Sequence, residues 1–128
     1  MIEKEFVSYE IASQLKEIGF NEECMGWYNP DLMITAKNIK QQDLHWEYYL
    51  APLYQQVISW FLERKVWINI FPIDNWNSWT FDIVMEDCLA PFYTEFDGKE
   101  LEFSSYEEAR EAAILKAIEE YKNLNIKQ

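Results

Sequence analysis

The sequence predicts an α+β fold: an antiparallel sheet of about four to six strands with three helices packed mainly on one face. Three observations lead there. Three segments place apolar residues at helical spacing between recognisable start and stop residues. Short runs between them alternate with a period of two. Turn signals, Asn29-Pro30-Asp31 and Asp97-Gly98, join neighbouring runs closely enough to make hairpins.

The first helix is expected to follow Ser8, whose hydroxyl can accept from an orphan amide of the first turn. Glu10 suits the positive end of the helix dipole. Ile11, Leu15 and Ile18 form one apolar stripe, Gly19 supplies a left-handed stop, and Phe20 folds back on the last turn. Residues 24–28 and 32–36 flank the first turn signal and read as a hairpin. The stretch His45-Trp46-Glu47-Tyr48-Tyr49 is either a short strand or an aromatic lead-in. The second helix is expected to start at Pro52, a position that needs no amide. It should bury Leu53, Tyr54, Val57, Ile58 and Phe61 and end near Arg64-Lys65.

Val66, Ile68 and Ile70 then alternate with Trp67, Asn69 and Phe71 until Pro72 stops the run. Trp79, Phe81, Ile83 and Met85 alternate with Thr80, Asp82, Val84 and Glu86, the clearest period-two pattern in the chain. The polar connector 73–78 makes these two strands a hairpin. A second hairpin around Asp97-Gly98 sets Phe96 opposite Lys99 and Glu95 opposite Glu100. The last helix opens on the capping box Ser105-Tyr106-Glu107-Glu108 and continues with Ala109, Ala112, Ala113, Leu115, Ala117, Ile118 and Tyr121. Residues 123–128 are expected to fray. One pattern occurs twice, Phe6-x-Ser8-Tyr9-Glu10-x-Ala12 and Phe103-x-Ser105-Tyr106-Glu107-x-Ala109. It reads as one helix-start solution used in two places.

The 128 residues suit a single domain, 1–128, able to bury its own core without disulfide or metal. Eleven Lys and Arg against 23 Asp and Glu give a net charge of −12. Phosphate binding needs clustered cations, so direct nucleic-acid binding is not expected, nor is attraction to anionic lipid. Such a field steers instead toward basic surfaces or cations. No apolar run approaches the roughly 20 residues of a membrane span, and the polar start MIEKEFVSYE is no signal peptide. With Cys24 and Cys88 far apart in sequence, free thiols in a reducing compartment are the simplest reading, and a cytoplasmic location is expected.

The segment Ala51-Pro52-Leu53-Tyr54-Gln55-Gln56-Val57-Ile58-Ser59-Trp60-Phe61 resembles one in a family of small uncharacterised proteins encoded by phages, prophages and mobile elements of gut Bacteroidota. The resemblance extends to Glu5-Phe6-Val7-Ser8-Tyr9-Glu10, to Leu15-Lys16-Glu17-Ile18-Gly19-Phe20 and to Phe103-x-Ser105-Tyr106-Glu107-Glu108-Ala109, in the same order along the chain. It implies a phage-linked setting, a host bacterial cell, and no particular chemistry.

No nucleophile–base pair, metal-ligand spacing, calcium loop or glycine-rich phosphate loop is visible, so no catalytic residue, metal or cofactor is assigned. His45, in its aromatic stretch, reads as a boundary or loop residue. Two groups stand out. The block 82–111 holds ten acids against Lys99 and Arg110. Within it Asp82, Glu86, Glu95, Glu100 and Glu102 are expected to share a sheet face, either as a partner-binding surface or as a solvated, charge-protected edge. In the connector, Asp74, Asn75, Trp76 and Trp79 combine aromatic and hydrogen-bonding groups suited to a flat, nucleotide-like ligand, unless Trp76 simply covers the core. The leading expectation is a non-enzymatic accessory protein that binds the basic surface of a host or phage protein.

Overall fold

The computed structural model describes residues 5–29, 33–85, 92–93, 95–96, 99–100 and 102–126. It is α+β, with three α-helices and antiparallel strands. The strands do not form one sheet of four to six. They fall into a three-stranded sheet β2-β1-β3 (Met33–Ile39, Cys24–Tyr28, Tyr49–Leu50), a three-stranded sheet β4-β5-β6 (Val66–Ile73, Ser78–Met85, Phe92–Tyr93) and a two-stranded ladder β7-β8 (Glu95–Phe96, Lys99–Glu100). Alternation fixes which face a residue takes but not which strand it pairs with, so the patterning alone could not separate these sets. The chain divides into two compact units, Met1–Val57 and Ile58–Gln128.

In the first unit, α1 (Tyr9–Glu17) starts and stops as the sequence requires. The Ile11 amide donates to Ser8 Oγ at 3.3 Å. At the other end Gly19 has φ of +88°. The Phe20 amide reaches back to Leu15 O at 3.0 Å, and the Gly19 amide to Lys16 O at 3.2 Å. That is the paired closure of a Schellman ending. β1 (Cys24–Tyr28) pairs with β2 (Met33–Ile39) across the expected turn, with Tyr28 opposite Met33. A single 3-10 turn (Gln41–Asp43) and the 44–48 loop lead to β3 (Tyr49–Leu50), which pairs on the other side of β1. The Tyr28 hydroxyl donates to Val7 O at 2.8 Å, and burial raises its pKa, which keeps it a donor.

The second helix, α2 (Tyr54–Glu63), begins two residues later than Pro52. Residues 51–53 are used as extended chain instead. Ala51 N donates to Gly26 O at 2.9 Å, Pro52 O accepts from Val7 N at 2.9 Å, and Leu53 bridges Phe6. Tyr54, Val57, Trp60 and Phe61 are its buried side chains, whereas Ile58 is only half-buried. The buried indole of Trp60 is roofed by the guanidinium of Arg64, 3.8 Å from the ring centroid. Lys65 then turns the chain in the left-handed region, with φ of +65°.

In the second unit, β4 (Val66–Ile73) and β5 (Ser78–Met85) form the expected hairpin. Pro72 does not stop β4. It lies opposite Trp79, whose amide and carbonyl both bond Phe103 on the far side, at 2.9 and 2.8 Å. The Pro72–Trp79 pair therefore needs no donor from Pro72, which is the one ladder position a proline tolerates. α3 (Tyr106–Ile126) packs on β4 and β5 and stays helical through most of the segment expected to fray. The Glu108 amide donates to Ser105 Oγ at 3.2 Å. The Glu108 carboxylate reaches one residue further back than a standard capping box, accepting from Ser104 N at 3.3 Å and from Ser104 Oγ at 2.8 Å.

The outer edge of β5 is interrupted. β6 (Phe92–Tyr93) pairs with Asp82 and Ile83, and Phe103 pairs with Trp79. Three steps along β5 are thus matched by ten along its neighbour. The surplus chain holds β7 (Glu95–Phe96) and β8 (Lys99–Glu100), which pair with each other in a ladder separate from the sheet.

Candidate functional site

The β7-β8 ladder has the register read from Asp97-Gly98: Phe96 lies opposite Lys99 and Glu95 opposite Glu100. Two acidic residues directly opposed across a short ladder repel each other. Glu102, just before the chain rejoins β5, is exposed. Asp82 belongs to a different ladder, at the middle of β5 between Asn69 and Tyr93. The excursion therefore removes Glu95 and Glu100 from the sheet that holds Asp82, and one sheet face does not carry all of them. Glu86 lies outside the described residues. The one cation of this block on α3, Arg110, is only 7 % exposed and sits with its guanidinium 5.4 Å from the Tyr106 ring centroid. It belongs to the packed side of the helix rather than to the surface charge.

The connector between β4 and β5 contracts to residues 74–77, closed by an Asn77 N to Asp74 O bond at 3.0 Å. Asp74, Asn75 and Trp76 have φ of 52°, 54° and 71°. Asp and Asn tolerate the left-handed region, but a bulky Trp there is an outlier. Trp76 does not close over the core, since it is 72 % exposed. Its ring meets Trp79 edge to face at 5.7 Å, and Trp79 meets Tyr106 edge to face at 5.3 Å. The half-buried Trp79 is thus the middle ring of three, with a nearly perpendicular ring on each side. Its backbone is pinned by both hydrogen bonds to Phe103.

The first unit contains a groove that sequence reasoning did not single out. Ser13, Lys16 and Glu17 of α1 face Trp46 and Glu47 of the 44–48 loop, with Tyr49 of β3 also lining it, around a volume of about 580 Å³. Lys16 Nζ donates to the Trp46 carbonyl and lies 5.2 Å from the Tyr49 ring centroid. Tyr49 packs edge to face on Tyr9 at 5.4 Å, and Tyr9 on Tyr28 at 5.6 Å. The loop itself is tied down. Gln41 Nε2 donates to Tyr48 O at 2.9 Å and Gln41 Oε1 accepts from Leu50 N at 3.4 Å. Glu47 N donates to His45 Nδ1 at 3.3 Å, and the His45 ring stacks on Trp46 at 5.7 Å and 29°. Trp46 is nevertheless 73 % exposed. The visible signal was the run His45-Trp46-Glu47-Tyr48-Tyr49, which turns out to be loop up to Tyr48 and strand only from Tyr49.

Cys24 offers little as a nucleophile. It is buried, its Sγ donates to Glu22 O at 3.3 Å, and burial, with Glu22 adding to the effect, pushes its thiol up to about 12. Cys88 lies outside the described residues. No helix among the described residues is long and apolar enough to cross a membrane. Comparison with protein families, curated proteins and solved structures finds no match to this chain.

Proposed function

We propose that the protein is a non-enzymatic accessory protein of a phage or mobile element that acts by binding the basic surface of a host or phage protein. The observation that carries this reading is the register of β7 and β8, which pairs Glu95 with Glu100 on a ladder separate from the β4-β5-β6 sheet. Opposed carboxylates cost the free protein stability that an incoming cation restores, so the repulsion becomes part of the binding free energy. The concrete form is an inhibitor of a nucleic-acid-handling defence enzyme, whose cationic groove meets carboxylates where it otherwise meets phosphates. Two features support it: the net charge of −12 and the resemblance to phage-encoded proteins. Changing Glu95, Glu100 and Glu102 together to Lys is expected to abolish partner capture from host lysate. Capture of the wild type should fall steeply with added salt, because exposed charges are screened within about 10 Å at 0.1 M. Capture that survives the triple reversal would remove the hairpin from the interface.

A second reading is favoured by the exposed, left-handed Trp76: a small-ligand protein that holds a flat, nucleotide-like molecule with Asp74, Asn75, Trp76 and Trp79. A saturating ligand raises the melting temperature in proportion to the logarithm of its concentration over Kd. A nucleoside or nucleotide that shifts the wild type but not Trp76→Ala is the expected result for this reading. No shift with any member of such a panel would dismiss it.

A further inference from the structure

The groove between α1 and the 44–48 loop is lined by groups of three kinds. Trp46 presents an indole backed on one side by His45 and open to solvent over most of its area. Glu47 and Glu17 bring carboxylates to the same groove. Lys16 also lines the groove, its ammonium donating to the Trp46 carbonyl and lying over the Tyr49 ring. An anionic ligand would meet two carboxylates and a protein of net charge −12. A cation is drawn by that field, and indole is the best of the aromatic faces for it.

Among cations, a guanidinium fits best. It is planar and weakly hydrated, it stacks on an aromatic ring, and it still donates in its own plane to a carboxylate. The stacking half of that arrangement occurs within this chain, with a backbone carbonyl as the acceptor. Arg64 lies over Trp60 at 3.8 Å while its Nη1 donates to the Trp60 carbonyl at 3.1 Å. Gln41 fixes the loop backbone at Tyr48 and Leu50, and Lys16 fixes it at the Trp46 carbonyl, so less of the loop has to be ordered on binding.

We propose that this groove receives an arginine side chain of a partner protein, the guanidinium stacking on the open face of Trp46 and donating to Glu47. The proposal rests on the reading that the partner is basic. It names a contact point separate from the acidic hairpin.

The test uses the full-length chain and a blocked Gly-Arg-Gly peptide, with lysine, citrulline and glutamate counterparts. The signal is the indole N–H resonance of Trp46 in nitrogen–proton NMR spectra, identified by its absence in Trp46→Ala. The arginine peptide is expected to shift it saturably, and citrulline, which keeps the shape without the charge, is expected to leave it unmoved. Lysine should bind several-fold more weakly than arginine, and Glu47→Gln should weaken arginine binding by roughly three- to tenfold. Equal shifts from citrulline, no shift up to the solubility of the arginine peptide, or a Lys16-dependent shift from the glutamate peptide would each overturn the assignment. Because the probe is an isolated side chain, failure here leaves the hairpin reading standing. Success here with the Glu95, Glu100 and Glu102 reversal still capturing partner would move the interface to the groove.

Discussion

Phe61→Ala is expected to destabilise the protein by about 3–5 kcal/mol, measured by urea unfolding. Phe61 is fully buried. Its ring lies edge to face with Trp60 at 5.1 Å and with Tyr121 at 5.9 Å, and Trp60 and Tyr121 are themselves 5.6 Å apart. The three rings close a triangle between the end of α2 and the last turns of α3. Truncation removes the transfer free energy of a benzyl group and two aromatic contacts, and it leaves a cavity walled by stiff rings that relax poorly. A domain of this size holds a total of roughly 5–15 kcal/mol, so this one change takes a large share of it. The neighbouring Leu62, 56 % exposed, is the control. Leu62→Ala should stay within about 0.5 kcal/mol of the wild type. Similar losses at both positions would mean that the ring triangle does not hold α3 in place.

The second large effect is one of excess volume. Ala109, Ala113 and Ala117 are all fully buried and recur every fourth residue, so they form a flat stripe along α3 facing β4 and β5. Ile114 and Ile118, also fully buried, run beside it. A stripe of methyl groups lets the helix axis approach the sheet closely, and no space is left for a longer side chain. Ala113→Leu should therefore cost about 1–3 kcal/mol through forced rotamers and a displaced helix. Ala112→Leu, one position round the helix where the side chain is only half-buried, should cost much less. Thermal unfolding of both variants separates a packing penalty from a change in helix propensity, because Ala to Leu alters propensity equally at the two sites.

The parts of this fold that could be read in the sequence are those decided by a few neighbouring residues. The repeated Phe-x-Ser-Tyr-Glu-x-Ala pattern is the plainest case. Ser8 and Ser105 cap α1 and α3, each followed at once by the first helical residue. The correspondence goes further than capping. Phe6 and Phe103 each make an isolated bridge to another segment, to Leu53 and to Trp79. Tyr9 and Tyr106 each pack edge to face on another ring, and Ala12 and Ala109 are each buried. Gly19 and the Asp97-Gly98 register were equally local.

What the sequence did not disclose depends on partners far along the chain. Pro72 looked like a strand end because its missing amide is visible, whereas the fact that Trp79 already bonds Phe103 is not. Pro52 looked like a helix start for the same reason, yet residues 51–53 are claimed by Gly26, Val7 and Phe6. Arg110, one of the two cations in the acidic block, is turned inward on α3, which its residue type does not reveal. The groove was hidden because Lys16 and Trp46, thirty positions apart, meet only through a backbone carbonyl. A carbonyl leaves no trace in the residue types.

The excursion between Tyr93 and Phe103 also bears on which changes the chain tolerates. Hydrogen bonding along β5 resumes at Phe103, so its pairings with Tyr93 and Phe103 do not involve the residues of β7 and β8. Connecting segments accept changes of length and charge more readily than the elements they join, so changes at those few positions are expected to leave the packed sheet as it is.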